Sequence, residues 1–277
     1  MKMYLSIFSL YFKILTIISP KLAGRRAFKF LQKPRRLKFR KKEVQFYKEV
    51  TAHPLITNYG EIPFYEWGDP LGKLVILVHG WESNAGSLSG VGSVLAKEGY
   101  RVVSFDLPAH GYQKATHTNL FECKEVLKTL IEHLHPMEPF SIVSHSFGSA
   151  VSTYAMSESD YALDQFICLS SPNRLAFLFE TFQQMFQLPT KTYGLMLSHV
   201  ENLFEKQLEE ITVEKMMSGV NFNHLTMIHD VNDKVLPFVF SEQITRNFGL
   251  SEIVSLSNVG HYRMLWNEDV NTHIINR

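Results

Sequence analysis

Short apolar segments alternate with helical patterns along much of this chain, and the alternation predicts a parallel β-sheet whose strands are joined by helices. The segment at 73–78 is almost continuously apolar, as is typical of a strand buried on both faces. A helical pattern at 119–134 lies between two such segments. The strands predicted in this way are 73–78, 100–105, 140–143, 165–169, 225–229 and 253–256.

The alternation stops between residues 173 and 223, where helical stretches replace the strand pattern. We therefore predict a helical insertion at 173–223. Its large apolar side chains can form a small core of the insertion itself or contact an apolar ligand. They include Phe177, Leu178, Phe179, Phe182, Met185, Phe186, Leu188, Tyr193, Met196, Leu197, Met216 and Met217.

Near the amino terminus, polar residues recur at steps of three and four, and apolar residues fill the positions between them. The pattern predicts an amphipathic helix with a wide apolar face. Its narrow polar stripe consists of Lys2, Ser6, Ser9, Lys13, Thr16 and Pro20. A second helix is predicted to begin at Pro20, with Ser19 as its N-cap, and to end before Pro34.

The charge of the chain is divided very unevenly. Residues 1–42 contain 13 of the 28 Lys and Arg residues and none of the 27 Asp and Glu residues. The overall net charge of +1 therefore hides +13 in this segment and −12 in the remainder. Such a division points to an anionic partner for the segment, or to the acidic surface of the rest of the chain.

Five roles compete for residues 1–42. A secretory signal peptide is disfavoured because Lys13 interrupts the apolar region and no small-residue cleavage site follows. A transmembrane helix is disfavoured because the apolar stretch is short. A helix lying on an anionic membrane surface fits best, and docking on the rest of the protein fits almost as well. Nucleic acid is a weaker candidate, since no recognised nucleic-acid-binding fold accompanies the basic residues.

The length and composition of the chain limit its domain organisation, its compartment and its cofactors. A chain of 277 residues with 45% hydrophobic content can form one large α/β domain. Cys123 and Cys168 fall at buried-looking positions and form no disulfide framework, which suits a reducing compartment. We therefore expect a cytoplasmic location, with possible attachment to the inner face of the membrane. The histidines show no metal-binding spacing, so we expect neither a metal nor another cofactor.

Ser146 is the strongest candidate nucleophile. It follows the predicted strand at 140–143 and precedes a helix-compatible stretch, so a sharp strand-to-helix turn would expose its hydroxyl. The backbone N–H of Phe147 would then face a developing oxyanion. The usual pattern for this turn is Gly-x-Ser-x-Gly, and this chain has Ser144 where that pattern has its first glycine.

An acid and a base follow Ser146 in the order that this geometry requires. Asp233 follows the strand at 225–229, and His261 follows the strand at 253–256. His261 would take the proton from Ser146, and Asp233 would orient the imidazole. Asp230 is an alternative acid, because only the Asp-x-Val-x-Pro spacing favours Asp233. The backbone N–H of Trp81, after the strand at 73–78, is the natural second oxyanion donor.

With these motifs, the chain resembles the α/β-hydrolase superfamily over residues 60–277. The resemblance implies a mostly parallel sheet of about eight strands with helices on both faces. It also implies a catalytic triad of Ser146, Asp233 and His261 and an oxyanion hole formed by Trp81 and Phe147. The motifs that carry it are His79–Trp81, Phe105–Gly111, Ser144–Gly148, Asp233–Pro237 and Gly260–His261.

The resemblance further implies that the insertion at 173–223 is a lid and that His110 is structural. His145 is expected to pack beneath the nucleophile turn. We accordingly expect a basic amphipathic helical segment at 1–42 and a hydrolase domain at 43–277.

The expected function is that of a serine hydrolase. It would cleave a carboxylic ester or thioester with a hydrophobic acyl group through an acyl-enzyme intermediate. Hydrolysis of a peptide, amide or carbon–carbon bond remains open. A non-enzymatic scaffold that binds a lipid or protein is the alternative from a different functional class.

Overall fold

The computed structural model describes residues 2–276, with side chains from residue 5 onward. Met1 and Arg277, which belong to the predicted segments 1–42 and 43–277, lie outside the described residues. The chain forms two compact units. The sheet unit consists of Pro34–Asn173 and residues 213–276, and the helical unit consists of residues 2–33 and Arg174–Thr212.

The sheet unit contains a single eight-stranded sheet with the strand order β1-β2-β4-β3-β5-β6-β7-β8. β1, β2 and β4 pair antiparallel, and all pairs from β4 to β8 are parallel. The predicted fold class is therefore confirmed. The strands are β1 (Thr51–Thr57), β2 (Gly60–Gly68), β3 (Leu74–Val78), β4 (Arg101–Phe105), β5 (Phe140–His145), β6 (Ala162–Leu169), β7 (Asn221–Asp230) and β8 (Ser251–Leu256).

Helices of both units are numbered together along the chain. In the helical unit they are α1 (Lys2–Ile18), α2 (Pro20–Leu31), α7 (Leu175–Phe186) and α8 (Thr190–Phe204). In the sheet unit they are α3 (Lys41–Glu49), α4 (Ser89–Lys97), α5 (Leu120–Leu134), α6 (Phe147–Ser157), α9 (Val213–Met217), α10 (Val239–Thr245) and α11 (Glu268–Ile275).

The six strands predicted from apolar runs are all present, and five of them contain buried residues, the exception being β8. Every residue of β3 and β5 is buried, so these strands are read directly from the sequence. The β1–β2 hairpin was missed, since β1 is a largely exposed edge strand that contains Pro54. β7 also begins four residues earlier than expected, because three of its first four residues are polar and exposed.

Aromatic side chains hold the helical unit together. The ring of Phe8 on α1 lies 4.6 Å from that of Phe30 on α2 and 5.0 Å from that of Phe186 on α7. The hydroxyl of Ser9 donates to the carbonyl of Gln187 at 2.9 Å. Residues 2–33 thus share a core with residues 174–212 of the predicted insertion. Residues 34–42, Asn173 and residues 213–223 belong to the sheet unit, so the predicted bounds 1–42 and 173–223 were both too wide. Ser19 precedes α2 as expected, but its side chain makes no capping hydrogen bond.

Among residues 2–276, no helix is both long enough and apolar enough to cross a membrane.

Helices α2 and α8 approach closely at Gly24. A Cβ atom at Gly24 would lie 2.7 Å from the carbonyl carbon and oxygen of Leu195. Backbone atoms cannot move aside as a flexible side chain can, so the absence of a side chain at Gly24 permits this contact. Gly194, also inside α8, faces open space, where an added Cβ meets no atom within 4 Å.

Alanine substitutions at these two glycines should have opposite effects. Gly24→Ala should lower the free energy of unfolding by about 1–3 kcal/mol, since the new methyl group overlaps the α8 backbone. Gly194→Ala should raise it by about 1 kcal/mol through helix propensity alone. Urea unfolding measures the change in the free energy of unfolding for each variant. Hydrogen exchange of the α2 and α8 amides shows whether the change lies in these helices. Equal effects of the same sign would contradict the close packing.

Candidate active site

Ser146 lies in the turn between β5 and α6, with φ 53° and ψ −123°. This left-handed conformation is costly for a residue with a side chain, and such strain is typical of nucleophile turns. The backbone N–H of Ser146 donates to the carbonyl of Leu169 at 2.9 Å, which fixes the turn against β6. Ser146 is partly exposed, although every residue of β5 before it and the first ten residues of α6 after it are buried.

Close packing around the turn explains its sequence. A Cβ atom at Gly148 would lie 2.4 Å from the carbonyl oxygen of Val78, so only glycine fits there. Ser144 is tolerated where the usual pattern has glycine because its buried hydroxyl has hydrogen-bonding partners. Its Oγ lies 3.1 Å from Oγ of Ser149 and 3.3 Å from the carbonyl oxygen of Ile167.

Asp233 and His261 form a buried acid–base pair. Nδ1 of His261 lies 2.7 Å from Oδ2 of Asp233, so the imidazole donates from Nδ1 and leaves Nε2 able to accept a proton. The other carboxylate oxygen accepts from the backbone N–H groups of Val235 and Leu236. Burial acts to raise the pKa of Asp233, but hydrogen bonds from His229 and His261 outweigh it and hold that pKa well below its usual range.

His229, at the end of β7, also faces Asp233, and the sequence interpretation missed it. Its Nε2 lies 3.1 Å from the carbonyl oxygen of Leu236 and 3.5 Å from Oδ2 of Asp233. A carbonyl oxygen only accepts, so Nε2 carries the hydrogen, and Nδ1 accepts from the hydroxyl of Ser241 at 2.7 Å. The signal available in the sequence was a histidine at the end of a strand, four residues before the proposed acid.

Asp230 has a different partner from the one that a catalytic acid requires. Its carboxylate accepts from the backbone N–H groups of Asn258 and Gly260, which lie three residues and one residue before His261. Arg263 donates to the carbonyl oxygens of Val259 at 2.8 Å and of Asn258 at 3.0 Å. Asp230 therefore binds the backbone N–H groups of the loop that carries His261, and Arg263 binds its backbone carbonyl groups. The structure places Asp233, and not Asp230, on the imidazole.

His145 supports the same loop from below the nucleophile turn. Its Nε2 lies 2.9 Å from the carbonyl oxygen of His261, and the two ring centroids are 4.7 Å apart. The carbonyl oxygen requires a donor, so Nε2 carries the hydrogen. Burial lowers the pKa of His145 to about 3, and the ring therefore stays neutral at physiological pH.

The loop after β3 runs beside Ser146. A Cβ atom at Gly80 would lie 3.1 Å from the Cβ of Ser146, so the absence of a side chain allows this approach. His79 secures the loop because its Nδ1–H donates to the carbonyl of Gly80 and its Nε2 accepts from the N–H of Leu107. Burial lowers the pKa of His79 well below its usual value, which keeps the ring neutral.

The two predicted oxyanion donors flank the nucleophile turn. Trp81 follows Gly80, and Phe147 is the first residue of α6, whose first N–H groups have no partner within the helix. The rings of Trp81 and Phe147 pack at 5.2 Å. Their roles as donors remain predictions.

The two cysteines are not activated as nucleophiles. Cys123 and Cys168 are free and buried, and burial raises the pKa of each thiol to about 12. Within residues 2–276, no group of three or more His, Cys, Asp or Glu side chains is arranged to hold a metal ion.

Comparison with known proteins agrees with this geometry. The sequence model of one protein family, described as the alpha/beta hydrolase fold, matches residues 73–250. A serine hydrolase-like protein of Dictyostelium discoideum is 26% identical over 126 residues, which is 44% of this chain and 34% of that protein. A serine hydrolase-like protein of Danio rerio is 29% identical over 97 residues, or 34% of this chain and 29% of that protein. The matched stretches thus span about a third of each relative.

Solved structures show the same fold. Esterase Pf2001 of Pyrococcus furiosus superimposes with a TM-score of 0.63 at 20% identity, covering 88% of this chain and 95% of the esterase. The thioesterase domain from the curacin biosynthetic pathway superimposes with a TM-score of 0.60 at 17% identity, covering 82% of this chain and 98% of that domain.

Asparagine substitutions should separate the two aspartates. Asp233→Asn should lower kcat for ester hydrolysis by about 10⁴-fold, since an amide does not hold the imidazole in the required tautomer. Asp230→Asn should lower kcat by less than about 10²-fold through displacement of the loop. It should also reduce the free energy of unfolding by about 1–3 kcal/mol, because one carboxylate oxygen becomes an NH2 group that cannot accept from a backbone N–H. Steady-state kinetics and urea unfolding test both. The reverse ranking of kcat would identify Asp230 as the acid.

Proposed function

Because the chain belongs to the α/β-hydrolase fold family, we propose that it is a serine hydrolase that cleaves a carboxylic ester or thioester with a hydrophobic acyl group. The observation that carries this proposal is the buried Asp233–His261 pair in a unit whose strained turn exposes Ser146. The printed names of similar structures, an esterase and a thioesterase, support the same reaction class. The lid role of residues 173–223 remains a prediction.

The proposed reaction proceeds in two halves. Oγ of Ser146 attacks the carbonyl carbon while Nε2 of His261 takes its proton, and Asp233 stabilises the imidazolium. The oxyanion accepts hydrogen bonds from the N–H groups of Trp81 and Phe147, and each such donor contributes about 3–4 kcal/mol in comparable enzymes. His261 then gives its proton to the leaving alcohol or thiol. Water enters and releases the carboxylic acid by the same sequence of transfers.

The alternatives predict different behaviour toward probes and substrates. A peptide, amide or carbon–carbon bond hydrolase would use the same three residues but prefer other substrates, which a panel with matched acyl groups distinguishes. A non-enzymatic scaffold would not react with a fluorophosphonate, because labelling requires an activated serine.

Ser146→Ala should abolish fluorophosphonate labelling and lower kcat for a medium-chain p-nitrophenyl ester by on the order of 10⁴ or more. Ser157→Ala is the matched control, since Ser157 ends the same helix and its hydroxyl only donates to the carbonyl of Tyr154. It should label and turn over as the parent does. Labelling of Ser146→Ala would place the nucleophile elsewhere, and a folded parent that is never labelled would favour the scaffold.

We also propose that the helical unit binds an anionic membrane surface. Phe8 and Phe12 on one face of α1 are buried. The opposite face exposes apolar side chains at steps of three and four. They are Ile7, Leu10, Tyr11, Ile14, Ile17 and Ile18, with exposed fractions from 44% to 84%.

Basic side chains accompany this apolar face. Lys21, Arg25, Arg26 and Lys29 of α2 are all exposed, and residues 2–33 contain no acidic residue. Burial of apolar side chains at the lipid interface and attraction of nearby cations, about 1 kcal/mol each, act together on such surfaces. This combination of apolar and basic side chains supports an anionic bilayer as the partner.

Substitution of the exposed apolar residues should weaken membrane binding. Ile7→Gln with Ile17→Gln removes side chains that are 61% and 84% exposed, so the fold should persist. Affinity for phosphatidylserine-containing vesicles, measured by sedimentation, should fall at least about tenfold. The matched control is Ile56→Gln with Leu71→Gln, which are 72% and 94% exposed in the sheet unit. The proposal fails if both double substitutions weaken binding equally, or if the unsubstituted protein does not bind the vesicles.

A further inference from the structure

A cavity of about 330 Å³ in the sheet unit adjoins both loops of the proposed catalytic machinery. Trp81 lines the cavity from the loop after β3, where it follows Gly80. Tyr262 lines it from the loop that carries His261. Its volume lies at the small end of the range for ligand pockets, which suits a compact group better than a long acyl chain.

One short segment gives the cavity a positive charge. Arg35, Arg36, Lys38 and Arg40 all line it, whereas Glu43 and Glu82 are its only acidic lining residues. The cavity therefore carries two more positive than negative side chains. Like charges on one six-residue segment repel one another, so an anion in the cavity would relieve that repulsion.

Two of the four cations are already engaged. Arg35 binds the carboxylate of Glu82 through two nitrogens, at 2.8 and 2.6 Å. Arg36 donates to the carbonyl oxygens of Gln113 and Ala115.

Lys38 and Arg40 make no ion pair with any residue in the described part of the chain. The carboxylate of Glu43 is occupied by the backbone N–H of Arg40, at 2.7 Å. These two side chains can therefore receive an external anion. Lysine and arginine are the residues that most often bind phosphate groups.

Two residues that line the cavity each carry a buried polar atom without a hydrogen-bonding partner among the described residues. Nε2 of His110 and Oγ of Ser87 have no hydrogen bond to a described residue, and each residue is only 3% exposed. Nδ1–H of His110 donates to the carbonyl of Pro108, so Nε2 is an acceptor. Burial lowers the pKa of His110 to about 4, which keeps Nε2 unprotonated near neutral pH. A ligand that satisfies it must bring its own donor.

We propose that this cavity binds a phosphate monoester that also carries a hydroxyl or amide N–H, and that this group is the leaving-group side of the substrate. The inference rests on the proposed serine hydrolase function and names its substrate class. The phosphate would pair with Lys38 and Arg40, and the donor would meet Nε2 of His110.

The reaction then balances as an ordinary hydrolysis. Ser146 adds to the acyl carbonyl carbon, and the bond from that carbon to the leaving oxygen or sulfur breaks. The proton of Ser146 passes through His261 to the leaving atom, which departs as a phosphate-bearing alcohol or thiol. Water then cleaves the acyl-serine and yields the carboxylic acid, so no other reactant is needed.

Binding of product-like probes tests the cavity without relying on turnover. Titration calorimetry of the full chain would compare 4′-phosphopantetheine with pantetheine, and glycerol 3-phosphate with glycerol. In at least one pair, the phosphorylated member should bind at least about tenfold tighter, and added salt should weaken it. The pair with the larger preference identifies a thioester carrier or a lipid headgroup as the source. Equal affinities within both pairs would overturn the inference.

Charge-removing variants locate the site. Lys38→Gln with Arg40→Gln should abolish the preference for the phosphorylated probe. Lys41→Gln with Lys48→Gln removes the same charge from exposed positions that do not line the cavity, and it should retain the preference. Equal losses in both pairs would mean that general electrostatic attraction, and not the cavity, binds the phosphate.

Kinetics separates this inference from the proposed function. For thioesters of one acyl group, the ratio of kcat/KM between phosphopantetheine and pantetheine should exceed about 10 in the parent and fall toward 1 in Lys38→Gln with Arg40→Gln, mainly through KM. A ratio near 1 in an active parent overturns only the inference. Phosphate binding without fluorophosphonate labelling overturns the serine hydrolase proposal, and the leaving-group assignment with it, but leaves the phosphate site in the cavity standing.

Discussion

The hydrogen bond between Asp233 and His261 is the interaction on which the candidate site depends, and much of its surroundings serves to maintain it. An ionised carboxylate in a buried position is costly unless donors surround it. Backbone N–H groups after Asp233 and the imidazoles of His229 and His261 supply those donors. His145 fixes the backbone of His261 from the opposite side. Burial keeps His145, whose ring packs against that of His261, neutral and so prevents extra positive charge beside the base.

The sequence predicted those parts of the fold and site that depend on local pattern and chain order. Buried strands such as β3 and β5 form continuous apolar runs, and the order Ser146, Asp233, His261 follows from the succession of strands. The β1–β2 hairpin was missed because an exposed edge strand leaves no apolar run. Asp230 and Asp233 differ in function because only one of the two carboxylates contacts the imidazole of His261. The two residues are three positions apart, and that separation alone does not show which one makes the contact. His229 was missed for the same reason.

The basic residues of the amino-terminal segment lie in one stretch of the sequence but belong to two different units of the structure. Its 13 basic residues were assigned to one segment, for which a membrane surface and docking on the rest of the protein fitted almost equally well. The structure divides them at Lys33 and Pro34 between the two units. The first group accompanies the exposed apolar face of α1, and four of the six basic residues in the second group line a cavity beside the catalytic loops. One basic stretch of the sequence therefore supports two proposals, namely binding of the helical unit to a bilayer and binding of a phosphate in the cavity.

The central claim is that Ser146 carries the acyl group during turnover. Rapid acid quenching of the protein during hydrolysis of a medium-chain p-nitrophenyl ester, followed by peptide mass spectrometry, tests it most directly. The account predicts one acyl adduct, on the peptide that contains Ser146, which appears within the first turnover and decays as substrate is consumed. Continued hydrolysis with the adduct on another residue, or with no adduct under conditions that trap other acyl-enzymes, would contradict the account.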